Sequence, residues 1–180
     1  GVVALSERVD DKLVEELAFI QNSVGAVLDP VSSATLLRSL KTLAVRMDRH
    51  VENAAAIAAF LDANRARLGI EKLIYPGLES HPGHAIAKRQ MKGFGSMISF
   101  AVEGGIDRAE RIARELDLFA FAPSLGGVES LVEHPASMTH KILPPERREM
   151  LGVTDNLLRL SVGIEHVDDL IADLERTMTR

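Results

Sequence analysis

Arg159 is the residue best placed for anion chemistry. In LRLSVGI, a strand reading sets Leu158, Leu160, Val162 and Ile164 on one face and Arg159, Ser161 and Gly163 on the other. A guanidinium on a glycine-lined face suits a planar carboxylate, because its rigid fork offers two parallel charge-assisted hydrogen bonds. Each such bond contributes about 1.5–3 kcal/mol. An arginine in a structural salt bridge fits the same spacing, so the pattern leaves both roles open. Ser124 precedes Leu125 and the paired Gly126 and Gly127 at the end of an apolar run. Paired glycines permit positive φ or a close approach of backbone to ligand, and the Ser124 hydroxyl could meet the same anion as Arg159. An ordinary turn after a strand is the alternative.

Other side chains invite chemistry less strongly. Glu129 and Glu133, four apart, could share a helical face as paired catalytic carboxylates do, but Pro135 and a helix-start position favour capping and turn roles. His81 and His84 in HPGH, with His134 and His140, suggest a metal set. They sit in separate segments without cysteine, so no metal is assigned. Lys88, Arg89 and Lys92 read as a solvated basic face. Asp168 and Asp169 fit the dipole at the start of the last helix.

Several function classes are excluded by bulk properties. The formal charge is -5 and the basic residues are scattered, which lacks the electrostatic footprint of a nucleic-acid binder. With no cysteine there are no disulfides or thiolate metal sites. No apolar run approaches the ~20 residues needed to cross a bilayer, and the opening GVVALSERVDDK has no basic region ahead of its apolar stretch, so a cytoplasmic protein is expected. At 180 residues and 46% hydrophobic the chain can bury a real core. GVVAL reads as a buried strand with nothing before it to pair against, which suggests a truncated chain.

The elements that would carry these residues form an α/β pattern. Asp10 to Ser23 repeats apolar residues at Leu13, Leu17 and Ile20, with Gly25 and Pro30 as breaks. From Pro30 to Leu61, Leu36, Leu40, Leu43, Met47, Val51, Ala54, Ala58 and Leu61 form one stripe of a single long helix, capped by Ser32 or Ser33. Beyond Gly69, IEKLIYPG, SMISFAVEGG, DLFAFAPSLGG and NLLRLSVGI read as strands. Helices are expected at Asp107 to Leu116 and Val167 to Met178, and Leu78 to Gly95 reads as a long connection.

The stretch SLGGVESLVEHPASMTH, Ser124 to His140, followed by LLRLSVGIE from Leu157, closely resembles the carboxylate-binding end of the cystathionine γ-synthase and γ-lyase family of pyridoxal-phosphate enzymes. The similarity extends collinearly through QNSVGAVLDP at Gln21, LKTLAVRM at Leu40, YPGLESHPGH at Tyr75 and AKRQMKGFG at Ala87. It implies an α/β chain whose small domain is α+β, the C-terminal domain of the fold-type I, aspartate aminotransferase-like fold. A mixed or antiparallel sheet with flanking helices would be preceded by long helices. Residues 1–68 would be the end of the cofactor-binding large domain with a connecting helix, and residues 69–180 the small domain.

The resemblance also implies that Arg159 binds the substrate α-carboxylate, that Ser124 assists beside it, and that Thr139 is a weaker candidate in support. Pyridoxal 5'-phosphate would serve the parent enzyme as electron sink. In the family the cofactor is attached through a lysine whose segment lies upstream of this one. None of Lys12, Lys41, Lys72, Lys88, Lys92 and Lys141 sits in such a segment. The chain is therefore expected to be inactive alone, as part of a homotetrameric enzyme performing γ-replacement or γ-elimination on cystathionine or homoserine esters. Alternatives are methionine γ-lyase, a homoserine sulfhydrylase, or a noncatalytic interaction and oligomerisation module. Two positions depart from the family pattern. Pro123 stands where glutamate is frequent before SLGG, which opens the substrate preference, and Ser39 stands where glycine is usual before LKTL. GGVES favours the synthase and lyase branches over the sulfhydrylases.

Overall fold

The computed structural model describes residues 2–180, and the chain divides into two compact units, Gly1–Leu43 and Ala44–Arg180. The helix after Leu43 belongs to the second unit through His50, Asn53, Ala54, Ile57, Ala58 and Leu61, which are buried.

The first unit holds α1 (Asp11–Val24) and α2 (Pro30–Leu40). Asp10 caps α1 by accepting from the Lys12 N–H, and Gly25, at φ 72°, closes it by donating to the Gln21 carbonyl. α2 is capped by Asp29 rather than by Ser32 or Ser33. The Asp29 carboxylate accepts from the Val31 and Ser32 N–H groups at 2.9 and 3.0 Å, one residue before Pro30 in the first turn. The Ser32 hydroxyl donates to the same carboxylate, and this bond is the first cause holding the Asp29 carboxyl below its ordinary value. The expected buried strand at GVVAL is not formed among the described residues. Val2 and Val3 are exposed and no strand pairs with them, which a buried strand would require. Gly1, its first residue, lies outside the described residues.

The single long helix expected from Pro30 to Leu61 is two helices, with a turn at Lys41 and Thr42 before α3 (Leu43–Ala63). Ser39 and Thr42 hydroxyls bond back to the Thr35 and Ser39 carbonyls, side-chain competition that disfavours an unbroken ladder.

The second unit is built on one sheet whose strands are β1 (Ile70–Ile74), β2 (Met97–Val102), β3 (Ala120–Phe121), β4 (Leu131–Glu133) and β5 (Leu157–Ser161). Their order is β1-β2-β5-β4-β3, antiparallel throughout except for β3 with β4. The short α4 (Arg65–Leu68) leads into β1, and α5 (His84–Gln90) interrupts the connection expected at Leu78 to Gly95. α6 (Gly105–Glu115), α7 (Pro145–Met150) and α8 (Val167–Met178) complete the unit. Ala109 and Ile112 of α6, and Leu170, Leu174 and Met178 of α8, join Ile98, Phe100, Leu158 and Leu160 in one buried core. The alternation read in LRLSVGI therefore holds through Val162, while Ile164, beyond the end of β5, is exposed. DLFAFAPSLGG supplies only the two residues of β3, whose pairing with β4 is carried by the Ala120 and Ala122 N–H groups donating to the Ser130 and Val132 carbonyls. β4 was not anticipated. Three residues are too few to display a period.

Candidate functional site

The site is assembled on the sheet face opposite the core. Arg159 in the middle of β5 stands in register with Ser99 of β2 on one side and Glu133 of β4 on the other. Glu133 is 1% exposed, and its Oε2 lies 2.5 Å from Arg159 Nη2. The same Nη2 donates to the Ser124 carbonyl at 3.2 Å. Neither Glu133 Oε2 nor Arg159 Nε makes an aligned hydrogen bond, so attraction between charges holds the pair. Arg159 Nη1 donates to no protein group among the described residues, and the side chain is 22% exposed. The guanidinium thus has one edge held by protein and one nitrogen available.

The Ser124 loop is tied down residue by residue. Gly126, at φ 78°, donates its N–H to the buried Ser161 hydroxyl at 2.9 Å. Ser130 Oγ donates to Glu165 Oε2 at 2.8 Å and accepts from the Gly163 N–H at 2.8 Å, while the Ser130 N–H donates to Glu165 Oε1 at 2.7 Å. A Cβ at Gly163 would come within 2.4 Å of the Val128 carbonyl and 2.6 Å of the Ser130 nitrogen, so only glycine allows this approach. From α3, His50 Nδ1 bonds to the Val162 carbonyl at 2.6 Å, and Asn53 donates to the Gly163 and Glu165 carbonyls at 3.0 and 2.8 Å. These long-range bonds hold the end of β5. The Ser124 hydroxyl is exposed and bonded to no protein group among the described residues.

Thr139 reaches the site through Glu133. Its hydroxyl donates to Glu133 Oε1 and lies 2.9 Å from His140 Nδ1. The turn bearing it is fixed by buried His134, whose Nδ1 meets Ser137 Oγ and whose Nε2 meets the Asp155 carbonyl, each at 2.7 Å. The carbonyl can only accept, so Nε2 carries the proton. Arg148 adds a bond to the Ala136 carbonyl at 2.9 Å and an ion pair with Asp155 at 3.0 Å.

The three residues selected from sequence, Arg159, Ser124 and Thr139, are thus brought into one cluster with Glu133. Glu129 and Glu133 share no helical face, as their discounting as paired catalytic carboxylates anticipated. Glu133 lies on β4 and Glu129 in the loop before it. The histidines lie apart: His81 Nδ1 accepts from the Gly83 N–H at 3.0 Å, and His84 Nδ1 bonds to the Pro76 carbonyl at 2.9 Å. Among the described residues no group of three or more His, Asp or Glu is arranged to hold a metal ion.

A family model described as "Cys/Met metabolism PLP-dependent enzyme" matches residues 1–179. The chain belongs to this family. It is 49% identical over its full length to a cystathionine gamma-lyase of Dictyostelium discoideum, covering 45% of that protein. It is 48% identical to a cystathionine beta-lyase of Coxiella burnetii over 92% of the chain and 42% of the relative. It is 46% identical to an L-methionine gamma-lyase of Fusobacterium nucleatum over 94% of the chain and 42% of the relative. The chain therefore spans less than half the length of these relatives.

Members of the Cys/Met metabolism family use pyridoxal phosphate. The residues gathered at Arg159 do not by themselves fit that group, which needs an amine for its aldehyde and several donors for its phosphate. The cluster contains no lysine, and its one guanidinium is already half engaged by Glu133.

Sequence reasoning missed Glu133, Ser161, Glu165, His50 and Asn53 as parts of the site. Glu133 was weighed only as a partner of Glu129, and its pairing with Arg159 had no local signal.

Proposed function

We propose that this chain supplies the substrate-carboxylate half of a pyridoxal-phosphate-dependent trans-sulfuration enzyme of the cystathionine γ-synthase and γ-lyase type. The supporting observation is the divided guanidinium of Arg159, with Nη2 secured by Glu133 and the Ser124 carbonyl and Nη1 left to a ligand. An amino-acid carboxylate would take Nη1, and the free Ser124 hydroxyl would donate to its second oxygen. Two anchors on one carboxylate fix the orientation of Cα and its hydrogen, which is how positioning lowers a barrier without new chemistry.

In this reading residues 69–180 form the C-terminal domain of the fold-type I architecture, and residues 1–68 carry the end of the cofactor domain and a connecting helix. The attachment lysine is none of the six in this chain, and the chain alone is inactive. The full-length protein is a cytoplasmic homotetramer acting by γ-elimination or γ-replacement. The cystathionine gamma-lyase relative favours cystathionine, with homoserine esters and methionine as the other substrates. No helix among the described residues is long and apolar enough to cross a membrane.

The test is turnover by the full-length, cofactor-loaded protein of L-cystathionine and L-methionine, read as released ammonia, and of an O-acylhomoserine with L-cysteine as thiol nucleophile, read as new thioether with the carboxylic acid released. Turnover of at least one supports the assignment, and none overturns it. A noncatalytic interaction module is a second reading, favoured by the exposed apolar side chains of α1 and α2. Turnover by this chain alone after cofactor addition would refute both its catalytic incompleteness and that second reading.

A further inference from the structure

The carboxylate of Glu133 is buried, and its contacts are with Arg159 and Thr139. It lies opposite Arg159 across the β4–β5 ladder, with Oε2 2.5 Å from Nη2 and Oε1 accepting the Thr139 hydroxyl. A carboxylate that is 1% exposed carries a desolvation cost, which attraction to the Arg159 guanidinium and the Thr139 hydroxyl bond offset, and the same pairing fixes the orientation of the guanidinium. The Ser124 carbonyl supplies the second restraint on the same nitrogen. Without Glu133, rotation about the aliphatic bonds of the Arg159 side chain would swing the guanidinium plane away from the ligand and blunt the geometry it offers.

We infer that Glu133 is a positioning residue, which turns the Arg159 guanidinium so that Nη1 faces the substrate α-carboxylate, and that Thr139 steadies Glu133 in doing so. This inference rests on the carboxylate-binding role proposed for Arg159. It assigns Thr139 an indirect part: the threonine holds the residue that aims the arginine. Glu133 touches no substrate in this account.

The experiment compares inhibition of the full-length, cofactor-loaded protein by L-norleucine and by 1-aminopentane, which is norleucine without its carboxylate. The ratio of the two inhibition constants reports carboxylate recognition and is insensitive to general loosening of the site. Arg159→Ala, the control, should collapse this ratio by about a hundredfold, the scale of losing charge-assisted bonds. Glu133→Ala should collapse it by about tenfold by weakening norleucine alone. Glu133→Gln, which keeps the shape but removes the charge that holds the guanidinium, should collapse the ratio nearly as far as Glu133→Ala. Should Glu133→Ala not fold, Glu133→Met removes the acceptors with the volume kept. In the Arg159→Ala background, loss of Glu133 should add nothing.

An Arg159→Ala effect accompanied by an unchanged ratio in Glu133→Ala or Glu133→Met overturns the inference and leaves the carboxylate site intact. An unchanged ratio in Arg159→Ala overturns the underlying reading as well.

Discussion

The helices of both units carry apolar stripes, but those stripes meet opposite fates. No residue of α1 or α2 is buried, and Phe19, Val24, Val31 and Leu37 are each more than 60% exposed. A hollow of about 570 Å³ there is lined by apolar side chains such as Val3, Leu5, Val14 and Ile20. In the second unit, α3, α6 and α8 bury theirs against the sheet, and Ile57, Leu61, Ile112, Leu170 and Leu174 are wholly enclosed. Periodicity reports that a helix has an apolar face. Whether that face is covered depends on what lies against it, which no local spacing encodes.

Three substitutions sharpen the contrast. Leu160→Ala in the middle of β5 should destabilise the second unit by about 2–5 kcal/mol in chemical unfolding, since it empties a fully enclosed core position. A loss below 1 kcal/mol would mean that this core is much looser than its burial indicates. Asn53→Ala leaves the Gly163 and Glu165 carbonyls without their α3 donor and should cost about 1–3 kcal/mol. Amide exchange at Gly163 and Ile164 should accelerate with it, and unaltered protection there would detach α3 from the support of β5. Phe19→Ser on α1 should change the unfolding free energy of this chain by less than about 0.5 kcal/mol. A larger loss would show that the first unit has a stabilising core and would remove the contrast.

What was legible in the sequence follows from the same physics. α8 and the inward face of β5 were readable because each is long enough to repeat its period against one layer. α1 was readable from Asp10 and Gly25, which signal start and stop locally. The break at Lys41 and Thr42 was not, because the apolar spacing runs straight through it. Within the site, strand alternation and the glycine pair made Arg159 and Ser124 candidates, and the family resemblance implied their role. Glu133 did not, because its meaning depends on a three-residue strand pairing with a segment 26 positions later. His50 and Asn53 act on carbonyls more than a hundred residues away, beyond any sequence window.

The central claim is that Arg159, secured at one edge and open at Nη1, receives the acidic head of an amino-acid substrate. Steady-state kinetics of Arg159→Ala in the full-length protein, with the cofactor's visible absorbance recorded on the same sample, tests it most directly. The account predicts kcat/KM lower by about a hundredfold or more with that absorbance unchanged. Undiminished kcat/KM at full cofactor occupancy would contradict it.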